Sequence, residues 1–257
     1  MTWLLNRTAR WAGLLVLLLL SSCSGRASAL ESLRARGVLR VAMDPSYPPF
    51  EWVDEDGNLV GFDVDLAREI ARRIGVDVHF VVTGYDALYD ALIVDRADVI
   101  ISALYPDPTR MAGFAFSQAY FDAGQVLLVA ADAPIRSVAD LSSKQLMVVF
   151  GTEAHMNALE WQQRMEPPPI VLTGDTAETI ISAMAAGHAD AVIVDNVAAQ
   201  AALAQVPGVR VIASITDEPY VVAATAKDRE VIDAITRILH AMKQDNTLES
   251  LVDRWMH

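Results

Sequence analysis

An arginine that follows a proline-bracketed acid, in Pro106-Asp107-Pro108-Thr109-Arg110, is the first group in this chain placed to do chemistry. The apolar stretch Val99-Ile100-Ile101 runs up to Ser102-Ala103-Leu104-Tyr105 and stops there. Asp107 suits a helix N-cap and Pro108 the first helical position, so a short helix is expected with Arg110 in its first turn. A cation opposes the helix dipole at that point. The same place gathers free backbone N–H groups and a guanidinium fork, which together suit a carboxylate. The other reading is an arginine paired with Asp107 or turned to solvent.

Asp195 ends the apolar run Ala191-Val192-Ile193-Val194. A carboxylate there is costly unless it meets a cation or hydrogen-bond donors. It equally suits a helix N-cap for Asn196 onward, and both readings can hold. Between Asp44 and Trp52, Pro45, Pro48 and Pro49 stiffen a loop that displays Tyr47, Phe50 and Trp52, and Tyr85 opens the next helix after Thr83-Gly84. Rings on such loops can sandwich a ligand, although aromatic side chains also fill cores. The chain has no Walker loop, no Gly-x-Ser-x-Gly and no His-Glu-x-x-His. Its five histidines are scattered without ligand spacing. No metal and no cofactor is indicated.

The elements that must hold these groups alternate between strand and helix. Val38 to Met43 reads as a strand, and Glu51-Trp52-Val53 and Leu59-Val60 flank a hairpin turn. Phe62, Leu66, Ile70 and Ile74, with Ala67 and Ala71 beside them and Gly75 just beyond, predict an amphipathic helix with a C-terminal glycine cap. Strands follow at 76–82 and 97–102, with a helix over 85–95 between them. From residue 131 the pattern restarts. Two stretches, LYDALIVDRADVIIS and TIISAMAAGHADAVIVD, each run helix, polar turn, Ala-Asp, apolar strand. βαβ alternation of this kind implies parallel sheets, and the echo suggests two lobes on one plan. Ligands of open α/β sheets bind beyond the carboxyl ends of the strands. Those ends are Ser102-Ala103 in one half and Val194-Asp195 in the other.

Composition narrows the class. Arg7 and Arg10 precede an apolar run from Trp11 to Leu20, too short to span a bilayer comfortably but suited to a signal peptide. Leu20-Ser21-Ser22-Cys23 resembles the lipobox of bacterial lipoproteins, and Cys23 is the chain's one cysteine. That resemblance implies lipid on Cys23 and an exported protein anchored to a membrane in the periplasm or cell envelope. The alternative is an ordinary cleaved signal with an incidental cysteine. Removing Arg7 and Arg10 from 20 basic residues leaves 18 against 33 acidic ones, a net charge of −15. Such acidity disfavours nucleic acid as a partner. The 234 residues that remain of 257 exceed a typical single domain, so two lobes are expected.

Taken together, the runs LRVAMDPSYPPFEWVDEDGNLVGFDVDLAREIARRIGV, DVIISALYPDPTR, FAFSQAYFDAGQVLLV, SVADLSSKQLMVVFGT, GHADAVIVDNVAA and LESLVDRWMH resemble the family 3 extracellular solute-binding proteins. These are the amino-acid-binding components of bacterial ABC importers. The resemblance spans about residues 37 to 256. It implies a two-lobed α/β periplasmic-binding-protein fold of the Venus-flytrap, type II kind with two hinge strands. Its expected divisions are a signal peptide over 1–23, a tether over 24–36 that can turn helical near Leu30 to Arg36, lobe 1 over 37–130 plus 220–257, and lobe 2 over 131–219.

Carried over position by position, the resemblance implies that Arg110 grips the ligand's α-carboxylate and Asp195 its α-ammonium. Tyr47 and Tyr85 would pack on the side chain, and Asp44 would reach a distal cation. Ser102 and Thr152 match hydroxyl positions around the carboxylate. Ala103 is small, as in many relatives, but its side chain donates no hydrogen bond. Tyr105 and Glu153 stand where relatives carry small hydroxyl residues. The implied ligand is an amino acid or related zwitterion, and the acids Asp44, Glu51 and Glu153 point to a polar or cationic one; the implied partner is an ABC permease. Two rival readings come with the scaffold. One is a prephenate-type (cyclohexadienyl) dehydratase using Glu153 as general acid, and the other is a sensor module serving a membrane receptor.

Overall fold

The computed structural model describes residues 28–256. The proposed signal peptide and the Cys23 lipidation site lie outside the described residues. The chain opens with helix α1 (Ala29–Arg36) and strand β1 (Val38–Met43), then the small hairpin strands β2 (Ser46–Tyr47), β3 (Glu51–Val53) and β4 (Leu59–Val60). Helix α2 (Phe62–Ile74), β5 (Asp77–Val82), α3 (Leu88–Ile93), β6 (Val99–Ile100) and β7 (Phe114–Phe116) follow. Strand β8 (Phe121–Asp122) leads into β9 (Gln125–Ala130), β10 (Gln145–Val149), α4 (Glu153–Arg164), β11 (Ile170–Gly174), α5 (Ala177–Ala185), β12 (Ala191–Asp195), α6 (Asn196–Gln205) and β13 (Val209–Ser214). Strand β14 (Pro219–Tyr220) returns the chain to β15 (Ala223–Thr225), α7 (Arg229–Gln244) and α8 (Thr247–Trp255).

The strands form two five-stranded sheets of the same design. Their orders are β5-β1-β6-β15-β7 and β11-β10-β12-β9-β13. In each, three parallel strands are followed by one that runs opposite to them and a fifth that runs with them. The echo between the two βαβ stretches is therefore a structural repeat, with α3–β6 and α5–β12 in equivalent places. Each sheet has helices on both faces. Leu39, Val41 and Met43 of β1 pack with α2 and α7, while Ala42 faces Leu88 and Leu92 of α3, as the two-residue period of a strand requires. Helix α2 buries the predicted stripe from Phe62 to Ile74, and Gly75 closes it at φ 89 with its N–H on the Ala71 carbonyl. Each large aliphatic side chain sealed in this way contributes about 1.5–3 kcal/mol.

Two boundaries differ from the sequence reading. The helical end read into the tether 24–36 is a packed part of the first body rather than a loose end. Ser28 caps α1 in a capping box with Glu31, and Leu30 and Leu33 are buried in the first core. The division at 130/131 also falls late, because β9 pairs with β12 and β13 inside the second sheet. An apolar strand run such as Gln125–Ala130 carries no mark of which sheet it joins. The chain crosses between sheets at Ala123-Gly124 and again before β14. The two passes touch there: β8 pairs with β14, and a Cβ on Gly124 would sit 2.0 Å from the Thr216 carbonyl oxygen. No helix among the described residues is long and apolar enough to cross a membrane.

Candidate functional site

Beyond the carboxyl ends of β1 and β6 lies a cavity of about 330 Å³ lined by Asp44, Ser46, Tyr47, Glu51, Tyr85, Ser102, Ala103, Glu218 and Tyr220. Three of these carry carboxyl groups, three are tyrosines, and none is basic. Five of the residues singled out from sequence therefore meet here: Asp44, Tyr47, Tyr85, Ser102 and Ala103.

Local structure explains how. Strand β1 ends at Met43, and the Asp44 N–H donates to Ser102 Oγ at 3.0 Å, tying the two strand ends together. Ser102 Oγ donates onward to Glu51 Oε1 at 2.7 Å. Asp44 Oδ2 accepts from the Tyr85 backbone N–H at 2.9 Å, which anchors the start of the 3₁₀ turn Tyr85–Ala87 leading into α3. The Tyr47 ring stacks on Phe50 at 5.5 Å, and the wholly buried Phe50 packs edge-on against Tyr220. Burial raises the pKa of the Tyr85 and Tyr220 hydroxyls, and Tyr47 beside Tyr220 adds to the latter, so both remain neutral donors.

Under this cavity sits a buried polar pair: Glu51, read from sequence only as an acid favouring a cationic ligand, and Asp63, which sequence reasoning did not single out. Glu51 and Asp63 are sealed from solvent. Asp63 Oδ2 accepts from the Ala103 N–H and from Tyr120 Oη, the latter at 2.8 Å. Gly61, at φ 131, allows the approach: a Cβ there would lie 2.2 Å from the Phe50 carbonyl oxygen, so only glycine lets α2 start directly against β3. Ala103 has a φ of 41, a left-handed conformation unusual for a non-glycine residue, and it is this turn that aims its N–H at Asp63. Desolvation raises both carboxyl pKa values, Glu51 further than Asp63, because Asp63 has more donors and Glu51 faces the charge of Asp63. The missed signal was a carboxylate directly beside a large apolar residue, in Phe50-Glu51 and again in Phe62-Asp63. Glu218 and Tyr220 were missed because they arrive from the return crossover.

The remaining sequence candidates stand apart from the cavity. The expected helix at Pro108 is a single 3₁₀ turn, Pro108–Arg110, with Asp107 accepting from the Thr109 N–H. One turn offers no bank of free amides, so the predicted helix-terminus anion site is not formed. Arg110 Nε lies 3.1 Å from Asp107 Oδ2, the alternative pairing read from the sequence, and its guanidinium covers the Tyr89 ring. Tyr105 is about half exposed and does not line the cavity. Thr152, Glu153 and Asp195 belong to the second sheet's helix starts. Thr152 Oγ1 caps α4 through the His155 N–H, Glu153 is the exposed first residue of that helix, and Asp195 Oδ1 caps α6 through the Ala198 N–H at 2.8 Å. All three stand at carboxyl ends of β10 or β12. Among the described residues, no cluster of His, Cys, Asp and Glu is arranged to hold a metal ion.

Comparison with known proteins agrees with this architecture. The lysine/arginine/ornithine-binding periplasmic protein of Escherichia coli (strain K12) is 30% identical over 254 residues, covering 94% of this chain and 95% of that protein. The L-cystine solute receptor of Neisseria gonorrhoeae, in its unliganded open conformation, superposes with a TM-score of 0.73 at 25% identity, covering 89% of this chain and 97% of that one. An ancestral cyclohexadienyl dehydratase superposes with a TM-score of 0.76 at 28% identity, covering 90% and 98%. The scaffold thus occurs in a dehydratase as well as in binding proteins. With residues 39–257 matching the family as a whole, the chain has the type II periplasmic-binding-protein fold and belongs to the bacterial extracellular solute-binding proteins, family 3.

Proposed function

We propose that this protein is the exported substrate receptor of an ABC importer, capturing a small cationic amino acid between its lobes and delivering it to a membrane permease. The observation that carries the ligand class is the cavity lining: Asp44, Glu51 and Glu218 with three tyrosines and no basic residue. A cationic side chain entering such a pocket meets fixed carboxyl groups and aromatic faces, and both attract it. The relative named for lysine, arginine and ornithine supports the same class.

The cavity is lined from the first lobe and the return crossover, with no residue between 125 and 214. In this reading the second lobe swings over the ligand. Arg110 leaves Asp107 and takes the α-carboxylate, while Asp195 and Thr152 approach the backbone of the amino acid from the other side. Tyr47 and Tyr85 hold its side chain. Ligand-biased closure of two rigid lobes about the crossover strands is a standard hinge transition. Lobe 1 then comprises the first sheet with its flanking helices, and lobe 2 the second. Lipid on Cys23 keeps the receptor beside its permease. Glu153 is exposed at a helix start, which does not favour a general-acid role, and the binding function is preferred to catalysis.

Calorimetric titration with a panel of amino acids tests the proposal. Arginine, lysine or ornithine should bind with micromolar affinity or better, corresponding to about −8 kcal/mol. Turnover of prephenate or arogenate, or silence across the whole panel, overturns it.

A further inference from the structure

The Glu51–Asp63 pair poses a problem of charge. Glu51 is 1% exposed and Asp63 0% exposed. Among the described residues, no lysine, arginine or histidine is hydrogen-bonded to either. The two carboxyl groups are close enough for each to act on the other's ionisation. Yet Glu51 Oε2 and Asp63 Oδ1 have no protein donor. Two neighbouring carboxylates, sealed from water and without a cation among the described residues, do not both ionise, so the pair holds a proton.

The neighbours decide which residue carries it. Asp63 already accepts from the Ala103 N–H and the Tyr120 hydroxyl, which stabilises its charged form. Glu51 accepts only from the Ser102 hydroxyl. A protonated Glu51 whose Oε2–H donates to Asp63 Oδ1 satisfies both unpartnered oxygens with one hydrogen.

Glu51 also faces the cavity. The other charged or titratable groups around it are Asp44 from the end of β1, Glu218 and Tyr220 from the return crossover, and Tyr47 and Tyr85 from the loops beside them. All are acidic or neutral. We propose that entry of a cationic group into this cavity expels the proton shared by Glu51 and Asp63, so that ligand capture is coupled to proton release. The Glu51 O–H bond breaks, its electron pair stays on the carboxylate, and the proton passes to buffer. The incoming positive charge is thereby matched by a new negative one. This inference rests on the cationic-ligand reading above.

The test is titration of the folded protein with L-arginine in two buffers of different ionisation enthalpy, at about pH 7 and about pH 8. The buffer dependence of the heat should correspond to release of between a few tenths of a proton and one proton per ligand. Glu51→Gln keeps an acceptor for Ser102 and a donor for Asp63, and should fold. It should bind more weakly and lose that component of proton release. Binding by the unaltered protein with equal heats in both buffers removes the coupling and leaves the ligand reading intact. No binding of arginine, lysine or ornithine removes the ligand reading, and the coupling with it. Proton release that persists undiminished in Glu51→Gln overturns the assignment to this pair.

Discussion

The Arg110 guanidinium lies 4.6 Å from the centroid of the Tyr89 ring, held there by Asp107. Tyr89 is buried in α3, so the arginine rests on a fixed aromatic platform at the rim of the first lobe. The pair with Asp107 is solvent-exposed and contributes little to folding. Arg110→Ala should therefore leave the melting temperature nearly unchanged while lowering amino-acid affinity by roughly 100-fold, the loss expected when a carboxylate loses its fork-shaped partner. Arg110→Lys should rescue only part of it. Calorimetry and thermal denaturation on the same samples check both halves, and unchanged affinity would exclude Arg110 from the ligand site.

The cap that Asp195 forms and the ammonium contact proposed for it are separable by mutation. As the cap of α6 it accepts the Ala198 N–H. Asp195→Ala should cost about 1 kcal/mol of stability. Asp195→Asn keeps a capping oxygen and removes the charge, so it should spare stability yet lose about 2 kcal/mol or more of binding. Equal affinity in Asp195→Asn and the parent would leave Asp195 with the cap alone.

Stability should fall as the medium becomes alkaline. The folded chain retains a proton on Glu51 that the unfolded chain releases near its ordinary value of 4.5, and burial carries the folded value to about 10. The stabilisation is complete below 4.5, declines across this window and is gone above about 10. In between, unfolding free energy drops by up to about 1.4 kcal/mol per pH unit. Denaturant melts of the ligand-free protein at several pH values should show the slope, and Glu51→Gln should flatten it.

At Ala103 the left-handed backbone makes a further prediction. Replacement by glycine removes the steric penalty and should be neutral or stabilising by up to about 1 kcal/mol. A valine there meets both the backbone and the cavity, and should destabilise by about 2 kcal/mol or more while closing the pocket. Thermal denaturation and arginine titration of both variants provide the check.

Much of the architecture was legible because it follows from periodicity. The four-residue stripe of α2, the strand–helix alternation and the repeated Ala-Asp-strand endings each have one economical structural solution. Ser102 and Ala103 were legible as a strand end of an open sheet, Tyr47 and Tyr85 as rings on loops beside it, and Asp44 only through the resemblance to the family. Three things were not legible. Strand β9 looks like any apolar strand, and only hydrogen bonding assigns it to the second sheet. Pro108–Arg110 stops after a single 3₁₀ turn, which the capping chemistry of Asp107 and Pro108 does not foretell. Asp63, and the burial of Glu51, escaped notice because acids beside a turn normally face water. Their burial depends on how closely Gly61 lets α2 approach β3, a tertiary fact.

Strand β15, only three residues long, sits between β6 and β7 in the first sheet although it comes more than a hundred residues after either. During synthesis, therefore, the first lobe waits. Residues 38–116 emerge early but lack the strip that joins β7 to the rest, whereas the second sheet is contiguous from 125 to 214 and can consolidate first. Long-range pairing of this kind is slow to form. The N-terminal sheet therefore depends on a strand from near the other end of the chain: β7 has its partner only once Ala223–Thr225 is in place.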